Sequence, residues 1–156
     1  MPDAALNDIV EFLATKRLAV VGVSRDPKHF SRGLFREFLA QGYDAVPVNP
    51  QAGQIEGRPC FARLADITPP VDAALLMTPP NLAEQAVREC TEADIKRVWV
   101  YKASGDGTIH DRAVDFCRKR GLAVIEGYCP HMFLPKVAFV HRLHRFLMKV
   151  AGSYPL

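Results

Sequence analysis

The stretch LAVVGVSRDPKHFSRGLF, residues 18–35, decides the fold. An apolar run suited to a strand buried on both faces reaches Gly22. After a polar loop, SRGLFREFLAQG takes up helical spacing, with Ser31 as the expected cap and Gly42 as the stop. Strand, loop and helix in this order open many nucleotide-binding α/β domains. The glycine spacing differs from the dinucleotide fingerprint, because Ser24 stands where G-x-G-x-x-G has its second glycine and R-D-P-K-H-F separates it from SRG. The loop carries Arg25, Lys28 and Arg32. It is expected to present the backbone amides of Ser31, Arg32 and Gly33 at a positive helix end, an arrangement suited to phosphate.

Working outward, the chain alternates strands and helices. Leu6, Ile9, Val10 and Leu13 share a helical face behind Asp3 as N-cap, predicting a helix over 3–16. YDAVPV, VDAALLM, KRVWVYK and GLAVIEG read as four further strands. Asn81 with Glu84, and Thr108 with Asp111, have the spacing of capping boxes for the helices between them. A closing helix over 136–151 places Phe139, Leu143, Phe146, Leu147 and Val150 opposite His141, Arg142, Arg145 and Lys149. The expected fold is α/β, a Rossmann-like doubly wound parallel five-stranded sheet with helices on both faces. It forms one domain over 1–156, with its core in 17–130.

Composition narrows the function. With 156 residues, 49% hydrophobic and 24% charged, the chain can build one buried core and is not of disordered type. No apolar run reaches membrane-spanning length, and the N-terminus lacks a secretion pattern, so a cytoplasmic location without membrane attachment is expected. A net charge of +3 favours a small anion and falls short of a nucleic-acid footprint. Cys60, Cys90, Cys117 and Cys129 form no C-x-x-C pair, which predicts reduced and mostly buried thiols.

In a doubly wound sheet the ligand lies at the carboxyl ends of the strands, where strand order reverses. The second strand ends in VPVNP, with Asn49 and Pro50 where an NAD site has an acid, while Asp44 sits at the strand's other end. No Walker pattern occurs. TPP at 78–80 reads either as a strand terminator or as a ligand wall, and Lys102 points to the same rim from the end of the fourth strand. SGDG before Thr108 is a connector or a lid. Neither Cys129 with His131 nor the pair His141 and His144 has the further partner that a thiol catalyst or a metal site needs. No catalytic or metal-binding residue is therefore assigned. The basic face of the last helix is a solvated face or a contact for an acidic partner.

The residues also carry a family pattern. VGVSRDP, GYDAVPVNP, the I-x-G of IEG and the RLADI segment resemble the CoA-binding domain family of small stand-alone proteins, over residues 18–67 and more loosely from 71 to 133. MTPPNLAEQAV and VIEGYCPHMF are similar to segments of the CoA-binding domain of the succinyl-CoA synthetase α subunit. The resemblance implies coenzyme A or an acyl-CoA as ligand, phosphates over the first loop and adenosine near the end of the second strand. Gly22, Ser24 and Ser31 would line the phosphate loop, Asn49 and Pro50 the nucleotide wall, and Thr78, Pro79 and Pro80 the opposite wall. Gln51 replaces a residue that is often basic in the family, leaving a 3′-phosphate to Arg25, Lys28 or Arg32. YKASGDG replaces the family's W-x-Q-x-G. The implied role is a non-catalytic sensor, carrier or accessory module, with a homodimer or an acyl-CoA enzyme as partner. The alternatives are an NAD(P)-linked oxidoreductase or a thiol enzyme on the same fold, and an interaction module built on the last helix.

Overall fold

The computed structural model describes residues 2–101, 107–126, 128–130 and 133–134. Side chains are described within these except at 2–5, 80–81 and 107–110. The order is α1 (Pro2–Ala14), β1 (Arg17–Val21), α2 (Phe30–Ala40), β2 (Asp44–Val48), β3 (Gln54–Ile55), β4 (Arg58–Pro59), a 3₁₀ turn (Leu64–Asp66), β5 (Ala73–Leu76), α3 (Pro80–Glu92), β6 (Arg97–Val100), α4 (Gly107–Lys119) and β7 (Ala123–Glu126). The sheet is five-stranded and parallel in the order β2-β1-β5-β6-β7. The expected Rossmann-like α/β architecture is thus present. Strand order reverses between β1 and β5, which makes their carboxyl ends the place for a crevice.

Each strand alternates its side chains between two helical layers. Leu18, Val20, Ala45, Leu75, Trp99 and Ile125 face α1 and α2, where Ile9, Phe12, Leu34, Phe35 and Phe38 close the core. Ala19, Val21, Val46, Val48, Ala74, Leu76, Val98 and Val100 face α3 and α4. Both sides exclude water, which is why the strands read as continuous apolar runs. Trp99 is fully buried against the edge of Phe12, ring centroids 5.3 Å apart, and its Nε1 donates to the Tyr128 carbonyl at 3.0 Å.

Several expectations about helix ends are corrected. The first helix spans Pro2–Ala14, so Asp3 lies inside it, and its buried face runs through Ile9 and Phe12 while Val10 is 57% exposed. Adjacent residues are about 100° apart on a helix, and packing Phe12 under Trp99 turns Val10 outward. Pro79 precedes α3 with no side-chain cap bond, and Asn81 lies within the helix. Pro80 at the first helical position has no N–H to satisfy, and the Leu82 amide donates to the Pro79 carbonyl at 2.9 Å in place of a side-chain cap. The fourth helix already includes Gly107, which puts Thr108 inside it as well. The hairpin β3–β4 had no counterpart among the expected elements; Glu56 (φ 51) and Gly57 (φ 74) turn it with both residues at positive φ, the geometry of a two-residue hairpin. The closing helix over 136–151, with Arg142, Arg145 and Lys149, lies outside the described residues.

All four cysteines are free thiols; Cys90 and Cys117 are buried where α3 meets α4, while Cys60 and Cys129 are half-buried. Burial pushes the Cys117 thiol from 9.0 up to about 11, and Cys90 higher still, with desolvation the leading cause. The unfolded chain therefore releases these protons first, and stability must fall as pH climbs from 9.0 toward about 11. In urea titrations across that range, a Cys90→Ala, Cys117→Ala double variant should lose less stability with rising pH than the parent. Parallel slopes in the two proteins would refute the assignment.

Candidate functional site

The site is built where β1, β2 and β5 end together. Gly22 leaves β1 at φ +89, and a Cβ there would stand 3.1 Å from the backbone C and O of Met77 and from N of Thr78. Only glycine meets both conditions, a left-handed turn and direct backbone packing. The Gly22 amide donates to Val48 O at 3.0 Å and the Met77 amide to Val21 O at 2.9 Å, joining the three strand ends.

Beyond Gly22 the loop is held by short polar links. The Ser24 amide donates to Ser31 Oγ at 2.9 Å, the Asp26 amide to Ser24 Oγ at 3.0 Å, and the Lys28 amide to Asp26 Oδ1 at 2.9 Å. Ser31 is the one fully buried polar side chain among the described residues. It does not cap its helix. The N-cap is His29, whose Nδ1 accepts from the Ser31 amide at 3.1 Å and lies 2.8 Å from Ser31 Oγ. The Arg32 and Gly33 amides donate to His29 O at 3.1 and 3.2 Å, so the amides expected to await a phosphate are already paired within the loop.

The cations divide into two sets. Arg32 Nε donates to Glu56 Oε1 at 2.9 Å, and its Nη1 to the Ser24 and Arg25 carbonyls at 3.2 and 3.0 Å. Arg36 Nε reaches the same carboxylate oxygen at 2.5 Å and its Nη1 the Pro27 carbonyl at 3.0 Å. Arg32 thus braces the loop against the hairpin turn. The hydrogen bond from Arg36, and then that from Arg32, hold the Glu56 carboxyl below its usual range against an opposing effect of burial. Arg25 and Lys28 are exposed and make no ion pair among the described residues.

On the β2 side, Asn49 Nδ2 donates to the Val23 carbonyl at 2.9 Å while its Oδ1 accepts from the Gln51 amide at 2.8 Å. It ties the strand end to the loop, with Pro50 exposed beside it. Asp44, by contrast, pairs with Arg17 at 3.1 Å and Arg58 at 2.5 Å at the amino end of the sheet. On the β5 side, Thr78 is half-buried and Pro79 exposed, and Pro80 begins α3. Gly33 is exposed with open space where a Cβ would be. Lys102, residues 104–106 of the SGDG segment, His131 and the pair His141 and His144 lie outside the described residues, and Gly107 begins α4. A separate groove of about 230 Å³ opens at the far end of the sheet, between the 3₁₀ turn and the end of α3, lined by Leu64, Ile67, Val71 and Ile95 with Glu92 and Asp94.

Four residues here were absent from the sequence reading: His29, Phe30, Glu56 and Tyr101. Phe30 stacks on Tyr101 with centroids 5.3 Å apart and planes at 22°. Burial first, and the neighbouring Cys129 second, push the Tyr101 phenol up. Only the pairing of Glu56 with Gly57 carried a sequence signal, as a weak form of the acid-glycine hairpin turn.

Comparison with known proteins agrees with the fold. The CoA binding domain matches residues 16–135. An α subunit of an ADP-forming acetate–CoA ligase from Pyrococcus furiosus is 26% identical over 125 residues, 76% of this chain but 27% of that subunit, so the chain spans about a quarter of this relative. An uncharacterized Bacillus subtilis protein, YneT, is 26% identical over 83% of this chain and 93% of its own length. Among solved structures, a hypothetical protein from Pyrococcus horikoshii superposes with a TM-score of 0.73 at 27% identity, covering 82% of this chain and 90% of that one.

Two substitutions test the local construction. Gly22→Ala should cost about 2 kcal/mol or more in urea unfolding, from the left-handed backbone and the contact with Met77 together. His29→Ala should cost about 1 kcal/mol while His29→Asn, a preferred capping residue, stays near the parent. Equal losses in both His29 variants would show that the cap bond is not what the imidazole contributes.

Proposed function

The chain belongs to the CoA-binding domain family, and from that premise we propose that it binds coenzyme A or an acyl-CoA across the carboxyl ends of β2, β1 and β5. The observation that carries this reading is the Gly22 turn. Its backbone contact with Met77 and Thr78 leaves the loop directly above the point where strand order reverses. In this reading the adenosine lies against Asn49 and Pro50, the phosphates over Ser24 and the start of α2, and Thr78 to Pro80 form the facing wall. Arg25 and Lys28 supply the positive charge, since Arg32 is committed to Glu56 and to the loop carbonyls. Ser31 acts by holding Ser24 in place, and Gly33 leaves the helix surface open beside it.

The role we infer is that of a binding module: a sensor or carrier of acyl-CoA, or an accessory to an acyl-CoA enzyme. The named ligase relative supports a partner of the last kind. No helix among the described residues is long and apolar enough to cross a membrane. The free thiols support a reducing compartment such as the cytoplasm.

Thermal unfolding with CoA, acetyl-CoA, NAD and NADP tests the proposal. A ligand that binds only the folded chain, at about 100 times its dissociation constant, adds roughly 2.7 kcal/mol. Stabilisation by the CoA species alone is expected. It should vanish in Ser24→Glu, which sets a carboxylate against the phosphates, and affinity should weaken about fivefold in Lys28→Ala, the scale of one exposed ion pair. Stabilisation by NAD or NADP alone would overturn the reading.

A further inference from the structure

The carboxyl edge of the sheet changes character along its length. Over β2 and β1 it presents Asn49, Ser24, Arg25 and Lys28, which are polar or cationic. Over β6 and β7 the described residues that follow the strands include two aromatic side chains, Tyr101 and Tyr128. Tyr101 follows β6 directly, its amide donating to Leu76 O at 3.0 Å, and stacks on Phe30 from the first turn of α2. Tyr128 follows β7 and meets the edge of Phe133 at 6.0 Å, and Phe133 in turn lies 6.1 Å from Trp99.

Exposure marks the same place. Three large apolar side chains are exposed among the described residues, and two of them, Phe30 and Leu82, stand in the first turns of the helices that flank the crevice, each 44% exposed. Their exposed surface lies at the mouth of the crevice, where an apolar group of a ligand would gain from contact with it. The Tyr101 phenol is uncharged at neutral pH and adds no charge to that wall.

We propose that Phe30 and Tyr101 form the wall for the acyl end of the ligand, so that the site selects thioesters with an uncharged, apolar acyl group over free CoA and over acyl groups ending in a carboxylate. This rests on the CoA reading above, which fixes the direction. With adenosine at β2 and the pyrophosphate over β1, the rest of the molecule continues across β5 toward β6, strand by strand at about 4.8 Å each. An anionic head and an apolar tail then meet the cationic and the aromatic parts of one edge. Each methylene buried against the ring pair is worth about a fourfold gain in affinity.

Calorimetric titration of the full chain with 3′,5′-ADP, CoA, butyryl-CoA and succinyl-CoA, on the parent and on Phe30→Ala and Phe30→Leu, tests this. The parent should bind butyryl-CoA at least fivefold more tightly than CoA or succinyl-CoA. Phe30→Ala should abolish that preference, Phe30→Leu should keep part of it, and neither should alter the affinity for 3′,5′-ADP, which has no acyl end. A parent that binds butyryl-CoA and CoA alike, or a Phe30→Ala loss equal for all four ligands, overturns the acyl-end assignment while leaving CoA binding intact. A parent that binds none of the four overturns the CoA reading itself.

Discussion

The contact between Gly22 and the backbone of Met77 and Thr78 governs the carboxyl edge of the sheet. A side chain at that point would push β1 from β5 or force the loop out of its left-handed turn, and each change would open the crevice. Because the turn is tight, the loop that follows must double back over its own start to reach α2. It does so by pairing nearly every polar group it contains. The Ser24, Asp26, Lys28 and Ser31 amides all find side-chain acceptors within the loop or at the head of the helix. The loop is thus held by hydrogen bonds of its own.

Charge follows the same logic. Four basic side chains lie near the loop, yet two guanidinium groups, of Arg32 and Arg36, converge on one oxygen of Glu56. A carboxylate supplied by the protein itself offsets one of their two charges and ties the loop to the hairpin. Arg25 and Lys28 are left at the surface with their charges unbalanced by any described neighbour. The same separation appears at the other end of the sheet, where Asp44 takes both Arg17 and Arg58. An acid there cannot serve a ribose at the carboxyl edge.

The layered sheet was legible from the sequence because its signal is long-range and redundant: five apolar runs buried on both sides, separated by helical spacing. Helix ends were not. Ser31 has the residue type of a cap, but burial against Ser24 gives its hydroxyl another task, and His29 two residues earlier takes the cap with a ring nitrogen. Asn81 failed for a different reason, since Pro80 starts the helix without needing a donor partner. The hairpin β3–β4 has strands of two residues each, too short for any alternation to show. Within the site, glycine and the loop serines were legible through local chemistry, whereas Phe30, Tyr101 and Glu56 join elements far apart in sequence and gain meaning only when the sheet brings them together.

The hairpin is pinned at its tip to α2 through Glu56 and, immediately past the turn, to β2 and β1 through Arg58, Asp44 and Arg17. It also carries the Cys60 amide to Gly53 O and hands Phe61 to the end of β2. Loop and hairpin thus share their fastenings, and neither can detach alone without stranding charges on the other. Linked in this way, they are expected to open as one cooperative unit of local unfolding. In native-state hydrogen exchange, the amides of Ser24, Lys28 and Cys60 should then share a single isotherm, although more than thirty residues of chain separate the first from the last.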